Sequence, residues 1–179
     1  MKIGRRTLIG SDGTLLGVGD KIAAPEALGR ISNETRRVYD LWVHAGRPDR
    51  LPSLADYPLQ QVADLLPSIL IVDVLEGQHD YLYRQCGALE MQVRGENPIG
   101  KTVRQSHQGE VLDFVLESYD RVVASGDALI DFSIDINRDP SYVGTEALLL
   151  PFSTVGVAVT QVLGYIHYVE AGGKSTPSE

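Results

Sequence analysis

The fold is decided by the stretch SILIVDVLEGQHDYLYRQCGALEMQVRGENPIG, residues 68–100. Ile69 to Leu75 is an apolar run of strand length and β-branched character. Residues 76–80 are polar and contain Gly77, which predicts a turn. Tyr81 to Cys86 reads as a second strand. The two make an antiparallel hairpin that runs directly into short helical segments, closed by Gly95 and by the turn Asn97-Pro98-Ile99-Gly100.

Working backwards, residues 59–66 (LQQVADLL) predict a short amphipathic helix stopped by Pro67. Ser32 or Asn33 can cap a helix reaching Ala45. Val38, Leu41, Trp42 and Ala45 recur at i, i+3, i+4 and i+7, which makes one apolar stripe. Residues 1–30 are Gly-rich, lack a period and are read as a flexible leader. Working forwards, a long helix is expected over residues 109–125. Val111, Val115, Tyr119 and Val122 lie along one side of it, and Gly126 provides its stop.

Residues 128–136 alternate, with Ile130 and Phe132 on one face and Asp131 and Ser133 on the other. Residues 137–144 are rich in turn formers. Strands follow over residues 145–152 and 162–170, and the tail 171–179 has the composition of a disordered end. The last three strands are joined by connections too short for helical crossovers, so they should be antiparallel neighbours. The expected fold class is α+β, a five-stranded antiparallel sheet with helices on one face and an extra N-terminal helix. The folded domain is expected over residues 31–170. Residues 69–72 and 148–150 are apolar at every position, which suits a sheet covered on both faces.

With 179 residues, 43% of them hydrophobic, the chain can bury one substantial core. A formal net charge of -8 disfavours nucleic acid and anionic membrane surfaces as partners. No run of residues approaches bilayer length. Arg5-Arg6 lacks the sustained apolar segment that an export signal needs, so a cytoplasmic location is expected. Cys86 is the single cysteine, which excludes an intramolecular disulfide and fits a reducing compartment.

Several motifs occur in fixed order: Leu66-Pro67, Asp73-Val74, Tyr83-Arg84 with Gly87, and Gly95-Glu96 leading to Gly100-Lys101. Glu146, Leu148 to Pro151, and Leu163-Gly164 complete the set. Together with the element order they resemble the PAS domain superfamily. More narrowly, residues 50–170 are similar to small stand-alone bacterial PAS proteins, mostly alphaproteobacterial. The resemblance implies a sensing module whose sheet wraps a small-molecule cavity, and no catalytic residues. It places an apolar ligand site at Tyr83, Met91, Val111, Val115, Phe132 and Tyr165.

Other constellations are weaker. Cys86 lies outside the Asn-Cys-Arg-Phe-Leu-Gln motif of flavin-adduct PAS domains and reads as a small buried hydrophobe. His107 stands among Gln105, Ser106 and Gln108 and reads as a solvated loop residue. Neither haem nor flavin is therefore expected. The four histidines and one cysteine do not form a metal set. Asp73, set in an apolar strand, calls for a partner, and Arg84 on the next strand is the candidate.

The Val38, Leu41, Trp42 and Ala45 stripe can pack on its own domain or form a homodimer contact, and the dimer is the reading taken. The expected function is signalling through a protein partner, with or without a small apolar ligand. The alternatives are a ligand-free interaction adaptor and a small enzyme on a cone-like α+β fold. The enzyme would require a polar pocket holding a carboxylate or histidine of perturbed pKa.

Overall fold

A computed structural model of the chain describes residues 8–9, 15–16, 20–133 and 142–170. The short strands β1 (Leu8–Ile9) and β2 (Leu15–Leu16) pair with each other. The main sheet contains β3 (Asp20–Ala23), β4 (Ile69–Leu75), β5 (Asp80–Cys86), β6 (Leu129–Ser133), β7 (Tyr142–Phe152) and β8 (Gln161–Glu170). Its spatial order is β3-β6-β7-β8-β4-β5, and every neighbouring pair is antiparallel.

The sheet thus has six strands rather than the expected five. The sixth, β3, comes from the stretch read as a leader. It pairs with β6 in the register Lys21↔Asp131 and Ile22↔Ile130. A four-residue helix, α1 (Ala24–Ala27), follows with Ala24 and Ala27 fully buried. The folded part therefore starts before residue 31. β7 also begins earlier than expected, at Tyr142. The expected strand end and the start of its connection, residues 134–141, and the tail 171–179, lie outside the described residues.

Helix α2 (Asn33–Ala45) has the predicted bounds, with Ser32 as its cap accepting a hydrogen bond from Thr35 N. Residues Leu59–Ser68 form tight 3₁₀ turns interrupted at Val62, not the α-helix expected. The turns run on through Pro67, where a missing amide donor is easily tolerated in so short a repeat. Then come α3 (Ala88–Arg94), α4 (Val103–Ser106) and α5 (Gly109–Ser125).

Two hydrophobic layers cover the two sheet faces. On one, α5 meets Leu70, Val72, Leu149 and Val162 through Leu116, Tyr119 and Val122. On the other, α2 and the 3₁₀ turns meet Ile69, Ile71, Phe132, Leu148, Leu150, Leu163 and Tyr165. This second face is held by polar bonds as well. The buried Glu146 carboxylate accepts hydrogen bonds from Ser32 N (2.9 Å) and Ser32 Oγ (3.0 Å), and Trp42 Nε1 donates to Pro151 O (2.9 Å).

These contacts show the α2 stripe packing on its own domain, the first of the two expected uses. Val38 is fully buried within its own chain. Leu41, Trp42 and Ala45 are partly buried and pack on the same core. The helix is needed to cover the second face of its own sheet, so the stripe is used within the chain.

The motifs have packing roles. Gly87 N donates to Ile69 O (2.8 Å) at the start of α3. A Cβ at Gly87 would stand 2.2 Å from Pro67 O and 2.4 Å from Leu66 O. Those are backbone atoms, which cannot swing aside, so the Leu-Pro turn and this glycine are one device. Asp73 finds the expected partner: Arg84 Nε donates to Asp73 Oδ2 (2.7 Å), and Gln161 Nε2 donates to Asp73 Oδ1 (2.9 Å). Gly100 N and Lys101 O bond the backbone of Tyr83, which covers the outer edge of β5. Among the described residues no helix is long and apolar enough to cross a membrane.

The Gly87 contact yields a direct test. Gly87→Ala should lower unfolding stability by about 3 kcal/mol or more, the upper end of overpacking costs. Ala88→Gly, one position on and exposed, should cost only about 1 kcal/mol. Urea denaturation of the two variants checks this, and equal effects would contradict the backbone clash.

Candidate functional site

Between the inner sheet face and helices α3 to α5 lies a cavity of about 680 Å³. That volume is within the range of small-molecule sites. Of the expected ligand residues, Tyr83, Val111 and Val115 line it. Met91 does not, although Glu90, Val93 and Arg94 on the same helix do.

Phe132 and Tyr165 lie on the opposite face of the sheet, in the layer under α2. The reason is the pleat. The apolar side of β6 was assigned to α5, but that side packs under α2, so Asp131 and Ser133 turn inward. On β8 the inward positions are Ile166 and Tyr168, which puts Tyr165 on the far side.

The cavity is consequently mixed in polarity, not apolar as expected. One polar group gathers at α3. Glu90 is 1% exposed, accepts a hydrogen bond from Tyr168 OH (2.6 Å) and pairs with Arg94 Nε at 3.5 Å. Burial raises the Glu90 carboxyl above its ordinary range, against the pull of Arg94. The Arg94 guanidinium sits 5.1 Å from the centre of the Tyr83 ring. Arg94 Nη1 lies 3.2 Å from His107 Nε2, and Tyr83 OH lies 3.0 Å from the same nitrogen. Arginine only donates, so Nε2 accepts and the ring proton belongs on Nδ1. His107 is therefore part of a cavity wall rather than a solvated loop residue.

The second polar group lies on β6 and β7. Ser133 Oγ and Thr145 Oγ1 are 2.6 Å apart. Asp131 is 5% exposed, and its Oδ2 lies 2.6 Å from Ser118 Oγ on α5. Its Oδ1 is buried without a hydrogen-bond partner among the described residues. Burial raises this carboxyl to about 6, the bond from Ser118 and the charge of Lys21 opposing.

The missed residues left faint signals. Glu90 and Arg94 are four apart on one helix face. Ser118 interrupts the apolar side of α5 between Val115 and Val122. Asp131 and Ser133 are polar residues in a sheet that the apolar runs already mark as covered on both faces. Cys86 is half-buried, and burial pushes its thiol up to about 11, which makes it unreactive at neutral pH. Among the described residues no three His, Cys, Asp or Glu side chains gather as a metal-binding group.

Asp131 imposes a pH dependence on stability. The folded carboxyl holds its proton up to about pH 6, against an ordinary value of 3.8. The native state therefore binds the extra proton between those values, and stability falls as pH rises through the window. Two pKa units correspond to about 3 kcal/mol. Relative to Asp131→Asn, the wild type should lose up to about 3 kcal/mol between pH 4 and pH 7. Urea denaturation across that range checks it, and parallel profiles would show that Asp131 is not raised. No family model, curated protein or solved structure significantly matches this chain, so the chemistry of the site rests on its own residues.

Proposed function

We propose that this chain is a PAS-type sensory module that holds a small molecule in the cavity and signals through contacts with a protein partner in the cytoplasm. The observation that carries this reading is the cavity of about 680 Å³ between the inner sheet face and α3 to α5. The element order supports it: a hairpin, short helices, one long helix, then three antiparallel strands. The lining favours a ligand with polar groups, in place of the apolar one first expected. A ligand shifts such a module only by its differential affinity for two states. Tyr83 offers a route, because its side chain lines the cavity while its backbone bonds Gly100 and Lys101.

A second reading has one specific observation in its favour. Glu90 and Asp131 are buried carboxyls of raised pKa beside a cavity, which is the condition set for a small enzyme. An enzyme would release a changed product, whereas a sensor would retain its ligand unchanged.

Native mass spectrometry of freshly purified protein separates these. The sensory reading expects a bound small molecule at defined stoichiometry, which reappears unaltered after release and rebinding. Val115→Trp, which fills the cavity, should abolish retention with the fold intact by circular dichroism. Full occupancy in that variant would place the ligand elsewhere, and chemical conversion on rebinding would favour the enzyme.

A further inference from the structure

Asp131 lines a cavity large enough for a ligand, and its buried Oδ1 is an acceptor without a partner among the described residues. The cations that could serve it are engaged elsewhere. Lys21 is its cross-strand neighbour, yet the ammonium donates to Phe114 O (2.9 Å) and Glu117 Oε2 (2.6 Å) and sits 4.0 Å from the Phe114 ring centre. Arg121 donates to Lys21 O (3.4 Å). A buried carboxylate with one oxygen unpaired is unfavourable unless a donor arrives from outside the protein.

Other residues of the cavity lining have the opposite need. Arg94 Nε makes no hydrogen bond beyond its 3.5 Å ion pair with Glu90, and Ser106 Oγ is buried without a partner among the described residues. Donors there await an acceptor. The lining also includes Val111, Val115, Leu149 and Ile166, apolar surface that suits a short hydrocarbon chain.

We propose that the cavity binds a small protonated amine, its ammonium on Asp131 Oδ1 and an acceptor group directed toward Arg94 and Ser106. The proposal rests on the sensory reading and names the chemical class of its ligand. A cation at Asp131 supplies the missing donor and adds countercharge to that of Lys21 and Arg121. A hydroxyl would supply the first alone, and a simple carboxylate neither.

Three probes of one length decide it: pentylamine, pentanoate and 5-aminopentanoate, titrated by calorimetry near pH 7.5. Pentylamine and 5-aminopentanoate should bind at least tenfold more tightly than pentanoate, with 5-aminopentanoate the tightest. Asp131→Asn should weaken both amines and remove their preference over pentanoate. Wild-type protein gives a second readout that needs no variant. Lowering the pH to about 5 protonates Asp131, whose carboxyl lies at about 6, and should weaken pentylamine about tenfold. The charged groups around Asp131 in that titration are Lys21 on β3 and Glu117 and Arg121 on α5, with Glu90, Arg94 and His107 across the cavity.

Pentanoate binding as well as pentylamine, or an amine affinity unchanged by both Asp131→Asn and acid, would overturn the proposal. So would failure of both amines to bind. A co-purified molecule without a basic nitrogen would overturn it too, yet leave the sensory reading standing. Absence of any retained molecule in native mass spectrometry would count against both.

Discussion

The architecture depends on covering a sheet that is apolar on both sides. Leu148, Leu149 and Leu150 are all buried, and so are Ile69 to Val72. No single layer can bury such strands, because successive side chains point to opposite faces. The second layer is α2, and its position is fixed by Glu146 bonding the backbone and hydroxyl of Ser32. A carboxylate at a helix N-terminus satisfies orphan donors and favours the local dipole. With that face closed by helix and the other bridged by α5, the remaining volume collects between the sheet and α3 to α5. The cavity is what remains when one face is sealed tightly and the other loosely.

The motifs that run through the sequence are mostly devices of this packing. Leu66-Pro67 and Gly87 permit two backbones to touch. Gly164 faces the inner layer, where an added Cβ would meet Leu70 at 3.0 Å and Leu149 at 3.4 Å. Glu146 and Pro151 hold the two ends of α2. Most motif residues therefore shape the scaffold, while Glu90, Arg94, His107 and Asp131 of the cavity belong to no motif.

That division explains what could be read in advance. The bounds of α2 were legible from its Ser32 cap and helical period, and those of α5 from a sustained period ending at Gly126. The antiparallel order of β6, β7 and β8 followed from short connections, and the Asp73–Arg84 pair from a lone carboxylate in an apolar strand. β3 was not legible, since four residues in a Gly-rich stretch carry no period and acquire their structure only from pairing with β6. The facing of Phe132 and Tyr165 failed for another reason. Alternation shows that two sides differ, but not which side meets which helix when both are covered. Tyr83, Val111 and Val115 line the cavity, whereas Glu90, Arg94, His107 and Asp131 reach it through tertiary contacts that no sequence pattern announces.

The strand order carries a consequence for how the chain reaches this state. The pairings β4–β5, β6–β7 and β7–β8 join successive strands. The pairings β3–β6 and β4–β8 instead bring together residues about a hundred positions apart, such as Lys21 with Asp131 and Ile69 with Tyr165. Closing loops of that length lowers chain entropy before any contact repays it. The fold therefore belongs among slowly forming topologies. Until β4 meets β8, the β4–β5 hairpin and the three-stranded β6–β7–β8 meander, apolar on both faces, coexist in one unfinished chain. That interval is the one in which the protein is most exposed to aggregation.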